Sequence, residues 1–152
     1  MSYQEKNATA ALLSNLAILA YFGVKVFEMQ QAGTLNSTKV FSLWGWVMLF
    51  AIVAQIAFHI LAHIVFAITE SIRRGEEVTE IDDVVDERDK LIELKAFRNS
   101  YFVFQVGFLL SILSLVFLKL PALVMVNALI GTLIIAEVIG NSSQLFMYRR
   151  GY

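Results

Sequence analysis

Gln55, His59 and His63 recur at four-residue steps, so on a helix they share one side. Two imidazoles one turn apart can ligate a single metal ion. Glu137 would add a third, anionic ligand, and that set would suit Zn or Fe with an open coordination position. A divalent metal on His59, His63 and Glu137 is therefore one reading of these residues. The pair lacks the Glu of a His-Glu-x-x-His protease helix, because Ile60, Leu61 and Ala62 lie between the two His. Haem held by both is disfavoured, since axial ligands approach from opposite faces. The same residues also fit a cavity for protons or a small ligand, or a hydrogen-bonded network that fixes helix register.

Further polar residues follow the same logic. Ile134, Glu137, Asn141, Gln144 and Tyr148 alternate three-residue and four-residue steps, the spacing of a helix seam. Asn15, Ile18, Phe22 and Lys25 repeat it. With Gln105, these stripes give an expected cavity lining of Asn15, His59, His63, Gln105, Glu137 and Asn141. Beside the Glu137 stripe lie Ala136, Gly140 and Ser143, small enough to let another helix approach closely.

The elements that must hold these residues are four apolar runs, about Ala8–Met29, Val40–Thr69, Tyr101–Leu118 and Ala122–Met147. Each meets or approaches the roughly 20 residues that a helix needs to cross hydrocarbon. The second is longer than that and implies tilt or protrusion. The third and fourth are separated by little more than Leu120-Pro121, which allows only a tight helical hairpin. Pro121 suits the first turn of a helix. The N-terminus has almost no basic stretch and no small-residue cleavage pattern, so the first run reads as a retained span rather than a signal peptide.

Composition agrees. The chain of 152 residues is 58% hydrophobic and 16% charged, against about 25% charged in a soluble domain. Sixteen of the 25 charged residues lie between Glu70 and Arg98. A soluble single-core domain would spread them over its surface. The chain has no Cys, which excludes a disulfide framework and thiol-linked lipid. A net charge of −1 provides no basic footprint for direct nucleic-acid binding.

Four spans put both termini and the insert 70–100 on one side. That side carries nine Lys and Arg, the other only Lys25, Lys39 and Lys119. The imbalance predicts both termini and the insert in the cytoplasm. Within the insert, Val84, Val85, Leu91, Ile92 and Ala96 mark a helical stripe from about Asp83. Asp82, Asp83 and Asp86 favour its N-terminus, and Asp86 is spaced to pair with Lys90. Asp86, Glu87, Arg88, Asp89 and Arg98 are then a candidate docking surface or gate at the cytoplasmic mouth. Lys25 is placed to pair locally with Glu28. The expected fold is all-α: one transmembrane domain of four helices in a bundle, the third extended into the cytoplasm.

Asp86-Glu87-Arg88-Asp89-Lys90-Leu91-Ile92-Glu93-Leu94-Lys95-Ala96, followed by Arg98 and Tyr101, forms one recognisable stretch. Ala136-Glu137, Gln144-Leu145 and Tyr148-Arg149-Arg150-Gly151 form the other. Together they resemble an uncharacterised family of small prokaryotic four-helix membrane proteins, a domain of unknown function. The resemblance covers about Asp86 to Tyr152. It implies a four-helix fold in a bacterial or archaeal cytoplasmic membrane, and a regulatory pairing with small helix-turn-helix repressors. It carries no activity, and His59 and His63 lie outside it.

The chain holds no Gly-x-Ser-x-Gly, Walker loop or dinucleotide fingerprint. The leading expectation is a non-enzymatic sensor or partner-binding module. It has a polar cavity in the cytoplasmic half, a cytoplasmic protein partner, and small-residue faces that would allow a homodimer. The alternative is a small carrier of protons, metal ions or a lipophilic ligand using His59, His63 and Glu137. A pairing of Glu137 with His59, His63 or Arg98 would serve either.

Overall fold

A computed structural model describes residues 3–74 and 86–150. Four α-helices account for nearly all of them: α1 (Tyr3–Gln31), α2 (Ser37–Arg74), α3 (Glu87–Phe117) and α4 (Ala122–Arg150). All four are long and apolar enough to cross a membrane. The chain is a multi-pass helical membrane protein by that measure. In hydrocarbon no water satisfies backbone N–H and C=O groups, so continuous helices are the form such apolar stretches take. At 38 residues, α2 is about 57 Å long, well beyond the hydrocarbon thickness.

The helices pack in the order α2, α1, α4, α3, with α1 against α2 and α4, and α4 against α3. Ile18 and Phe22 of α1, Leu43, Val47 and Ala54 of α2, and Ile134 of α4 form the main core cluster. A smaller cluster joins Ile92 and Ala96 of α3 to Met147 of α4. Much of the remaining apolar surface is exposed, including Ile52, Ile56 and Ile60 of α2. An apolar exterior is what lipid requires, whereas a soluble monomer seldom exposes a large apolar patch.

Three polar arrangements fix the ends. Asp86 caps α3: its carboxylate accepts from the Glu87 N–H at 2.7 Å, and the Asp89 carboxylate accepts from the Asp86 N–H at 3.3 Å. This capping box starts the helix at Glu87. The part of the expected helix before Asp86, with Asp82, Asp83, Val84 and Val85, lies outside the described residues. Because Asp86 is engaged as the cap, Lys90 pairs with Glu87 at 2.8 Å and not with Asp86 as the spacing suggested. At the α3–α4 turn Lys119 adopts the left-handed region (φ 52°). Pro121 precedes α4 and accepts from the Val124 N–H through its carbonyl at 2.9 Å.

At one end of the molecule Arg149 Nε lies 3.8 Å from Glu5 Oε1, so the start of α1 meets the end of α4. This is the charged end of the molecule. At the other end the Trp44 indole N–H donates to Asn127 Oδ1 at 3.2 Å. The Asn127 amide donates to the Leu123 carbonyl at 2.9 Å. Buried Asn127 thus joins α2 to α4. Several span hydroxyls donate within their own helices, as with Ser111 to Gly107 O and Thr132 to Ala128 O, both at 2.8 Å.

Small residues bring α3 and α4 together. A Cβ added to Gly140 would lie 3.0 Å from the Ser100 Cβ, and one added to Gly107 would overlap the Thr132 side chain. Gly107→Val should therefore destabilise the folded chain by about 1–3 kcal/mol. Thermal unfolding in detergent would show it, and Thr132→Ala should restore part of the loss. An unchanged Gly107→Val unfolding temperature would contradict this close approach.

Candidate functional site

The two sides of the α3–α4 seam differ in chemistry. Ile92, Ala96 and Ser100 recur at four-residue steps and form the α3 contact stripe. Glu93 and Phe97 lie on one side of it, and Lys95 and Asn99 on the other. The first side opens into a groove of about 580 Å³ lined by Lys90, Glu93, Leu94, Phe97 and Ser100 of α3, and by Glu137, Asn141 and Gln144 of α4. The second side opens into a groove of about 620 Å³ containing Lys95, Arg98, Asn99 and Ser143. No described residue of α1 or α2 lines either groove.

In the first groove the expected seam of Glu137, Asn141 and Gln144 does line a cavity. At its charged end Tyr148 is partly buried, and burial together with the nearby Asp89 carboxylate pushes the pKa of its hydroxyl up to about 12. Asp89 therefore belongs to the α3 cap and acts electrostatically on Tyr148 near the end of α4. Lys90, spaced one turn from the cap, lines the groove and pairs with Glu87. The groove thus runs from the capped start of α3 to Glu137. Its charged lining is two carboxylates, Glu93 and Glu137, against Lys90.

The remaining candidates lie elsewhere. Asn15 is buried on α1 beside Ser14, which is fully buried and donates to the Ala11 carbonyl at 3.0 Å. Gln55 and Gln105 are exposed, and His59 and His63 are half-buried on α2. Neither His lines a groove with Glu137. Among the described residues, no three His, Cys, Asp or Glu side chains come together to hold a metal ion. The His59–His63–Glu137 set is not assembled, because α3 and not α2 adjoins the Glu137 side of α4. Nor does Glu137 form the expected ion pair: Arg98 lines the opposite groove, and no ion pair to Glu137 exists among the described residues. Lys25 does pair with Glu28, at 2.8 Å.

Sequence reasoning passed over Glu93, Ser100 and Asn127. The signal for the first two was present: Glu93, Phe97 and Ser100 follow the same three-four alternation that singled out the α4 stripe. Asn127, the polar link between α2 and α4, is an isolated amide in an apolar run, which is itself a reason to seek its partner.

No family model, curated protein or solved structure matches the chain. Of the small residues beside the Glu137 stripe, Ala136 and Gly140 are buried, Gly140 against Ser100 of α3, and Ser143 lines the second groove.

Asp86→Ala should remove the cap and cost about 1 kcal/mol. Amide exchange at Glu87 to Lys90 should quicken while exchange around Gly140 stays slow. Unchanged exchange in that first turn would show that the cap is not what holds it.

Proposed function

We propose that the chain is a non-enzymatic membrane module that binds a small ligand or partner segment at the Glu137 groove and reports occupancy through the start of α3. The observation that carries this reading is the continuity of that groove. Glu137 and Asn141 sit within an apolar span, Lys90 lies one turn from the cap, and one cavity joins them. Asp89, a member of the cap whose charge acts on Tyr148, provides a route from the end of α4 to the first turn of α3. Asp86, Glu87, Arg88 and Asp89 form the surface offered to a cytoplasmic protein. The excess of Lys and Arg at this end supports a cytoplasmic orientation.

A photo-crosslinking residue at Glu87 in cells tests the reading. A discrete protein adduct is expected, with a yield that changes at least about threefold when Glu137→Gln is added at equal protein level, the change that a coupling of 0.6 kcal/mol or more would give. No adduct, or one indifferent to Glu137, would remove the module from consideration. A second reading, a carrier of protons or cations, draws on the absence of an ion pair to Glu137 among the described residues. Ionisable groups in hydrocarbon commonly mark ion paths. Ion flux into vesicles reconstituted with the protein, lost in Glu137→Gln, would select it.

Orientation has its own check, because a Cys-free chain permits single-cysteine variants. Asn36→Cys should react with an impermeant maleimide on intact cells, and Glu87→Cys only after permeabilisation. The reverse pattern would invert the topology.

A further inference from the structure

We propose that the second groove of the α3–α4 hairpin binds an anionic glycerophospholipid, held by its phosphate at the membrane interface of the charged end. The site is distinct from the Glu137 groove and stands whether or not that groove senses anything. Lys95 and Arg98 supply its cations, and no acidic residue among the described residues lines it, in contrast to the groove across the seam. Arg150 lies 4.4 Å from the centroid of the Phe146 ring, and Phe146 lines the groove. A third cation is therefore held at the rim.

Depth matches a headgroup. Arg98 lies three residues before Tyr101, where the apolar run of α3 begins. Gly140 sits against Ser100, which places Ser143 of the antiparallel α4 near the level of Arg98. Toward the membrane interior the lining becomes apolar at Ile139. A ligand here has its polar part among cations and its remainder against apolar side chains, which is the division within a phospholipid.

The donor set suits a phosphodiester. Its oxygens accept hydrogen bonds, and Arg, Lys and the Asn99 amide all donate. The Ser142 hydroxyl already donates to the Val138 carbonyl at 2.7 Å, so Ser143 is the hydroxyl left to contribute. A choline headgroup would bring its own cation against Lys95 and Arg98, whereas a glycerol headgroup leaves the negative charge uncompensated. Basic pockets between helices at a membrane face bind anionic headgroups for this reason.

Native mass spectrometry of the full-length protein tests the site, using dioleoyl phosphatidylglycerol and dioleoyl phosphatidylcholine at equal concentration. Phosphatidylglycerol adducts should exceed phosphatidylcholine adducts by at least about fivefold, the effect of one interfacial cation. Arg98→Gln should lower phosphatidylglycerol occupancy about fivefold, and adding Lys95→Gln should lower it again. Arg98→Lys should retain most of it, and Lys39→Gln, at the far end of the molecule, all of it. A ratio near one for the two lipids in the unmodified chain would overturn the proposal, and this measurement does not depend on any variant folding. So would retention of the lipid by the double variant. Displacement of phosphatidylglycerol by millimolar inorganic phosphate would identify a free-anion site and overturn the assignment to lipid.

Discussion

Side-chain volume at two levels sets how near α3 and α4 can come. Gly107 faces Thr132 at one level, and Gly140 faces Ser100 at the other. In water such an approach would be one contribution among many, with apolar burial dominating. In lipid, apolar side chains gain little by leaving the acyl chains, so close packing and satisfied polar groups decide which helices associate. The two grooves exist because α3 and α4 meet along a narrow stripe of small residues. Larger neighbours on each side then stand apart and leave space. Larger side chains in the stripe would hold α3 and α4 apart, open the seam and merge the two sides.

The polar residues of the spans divide by how they are satisfied. Thr9, Ser111, Thr132 and Ser142 return their hydroxyl hydrogens to their own helices. Asn127 reaches another helix through Trp44. Glu137 does neither, and lies instead at the wall of a cavity. A carboxylate in an apolar span without a pairing cation is costly. Its place in the groove leaves it open toward the charged end.

Helix number and extent were readable from the sequence, because run length and hydropathy decide them almost alone. The cap at Asp86 was partly readable: acidic residues at that point announce a helix start. Which of them caps depends on backbone geometry, and that choice redirected Lys90 from Asp86 to Glu87. Phase along a helix correctly put Glu137, Asn141 and Gln144 on one side. It could not say which helix that side would meet. The expected convergence with His59 and His63 assumed that α2 would adjoin it, whereas α1 stands between α2 and α4 in the packing order. Neighbour choice rests on residues such as Gly107 and Thr132, whose fit is a property of two helices at once.

Neither α1 nor α2 contributes a described residue to the walls of the Glu137 groove, so they leave the flank of the α3–α4 seam uncovered there. On the proposed ligand-binding reading, with that flank in the bilayer, a molecule would arrive sideways, by lateral diffusion. Its concentration at the groove then follows its partition coefficient between water and bilayer. A compound that dissolves well in the membrane would fill the site at a low aqueous level, and a hydrophilic one of equal intrinsic affinity would not. Apparent affinity would then fall as lipid is added, a dilution in two dimensions that an aqueous pocket does not experience.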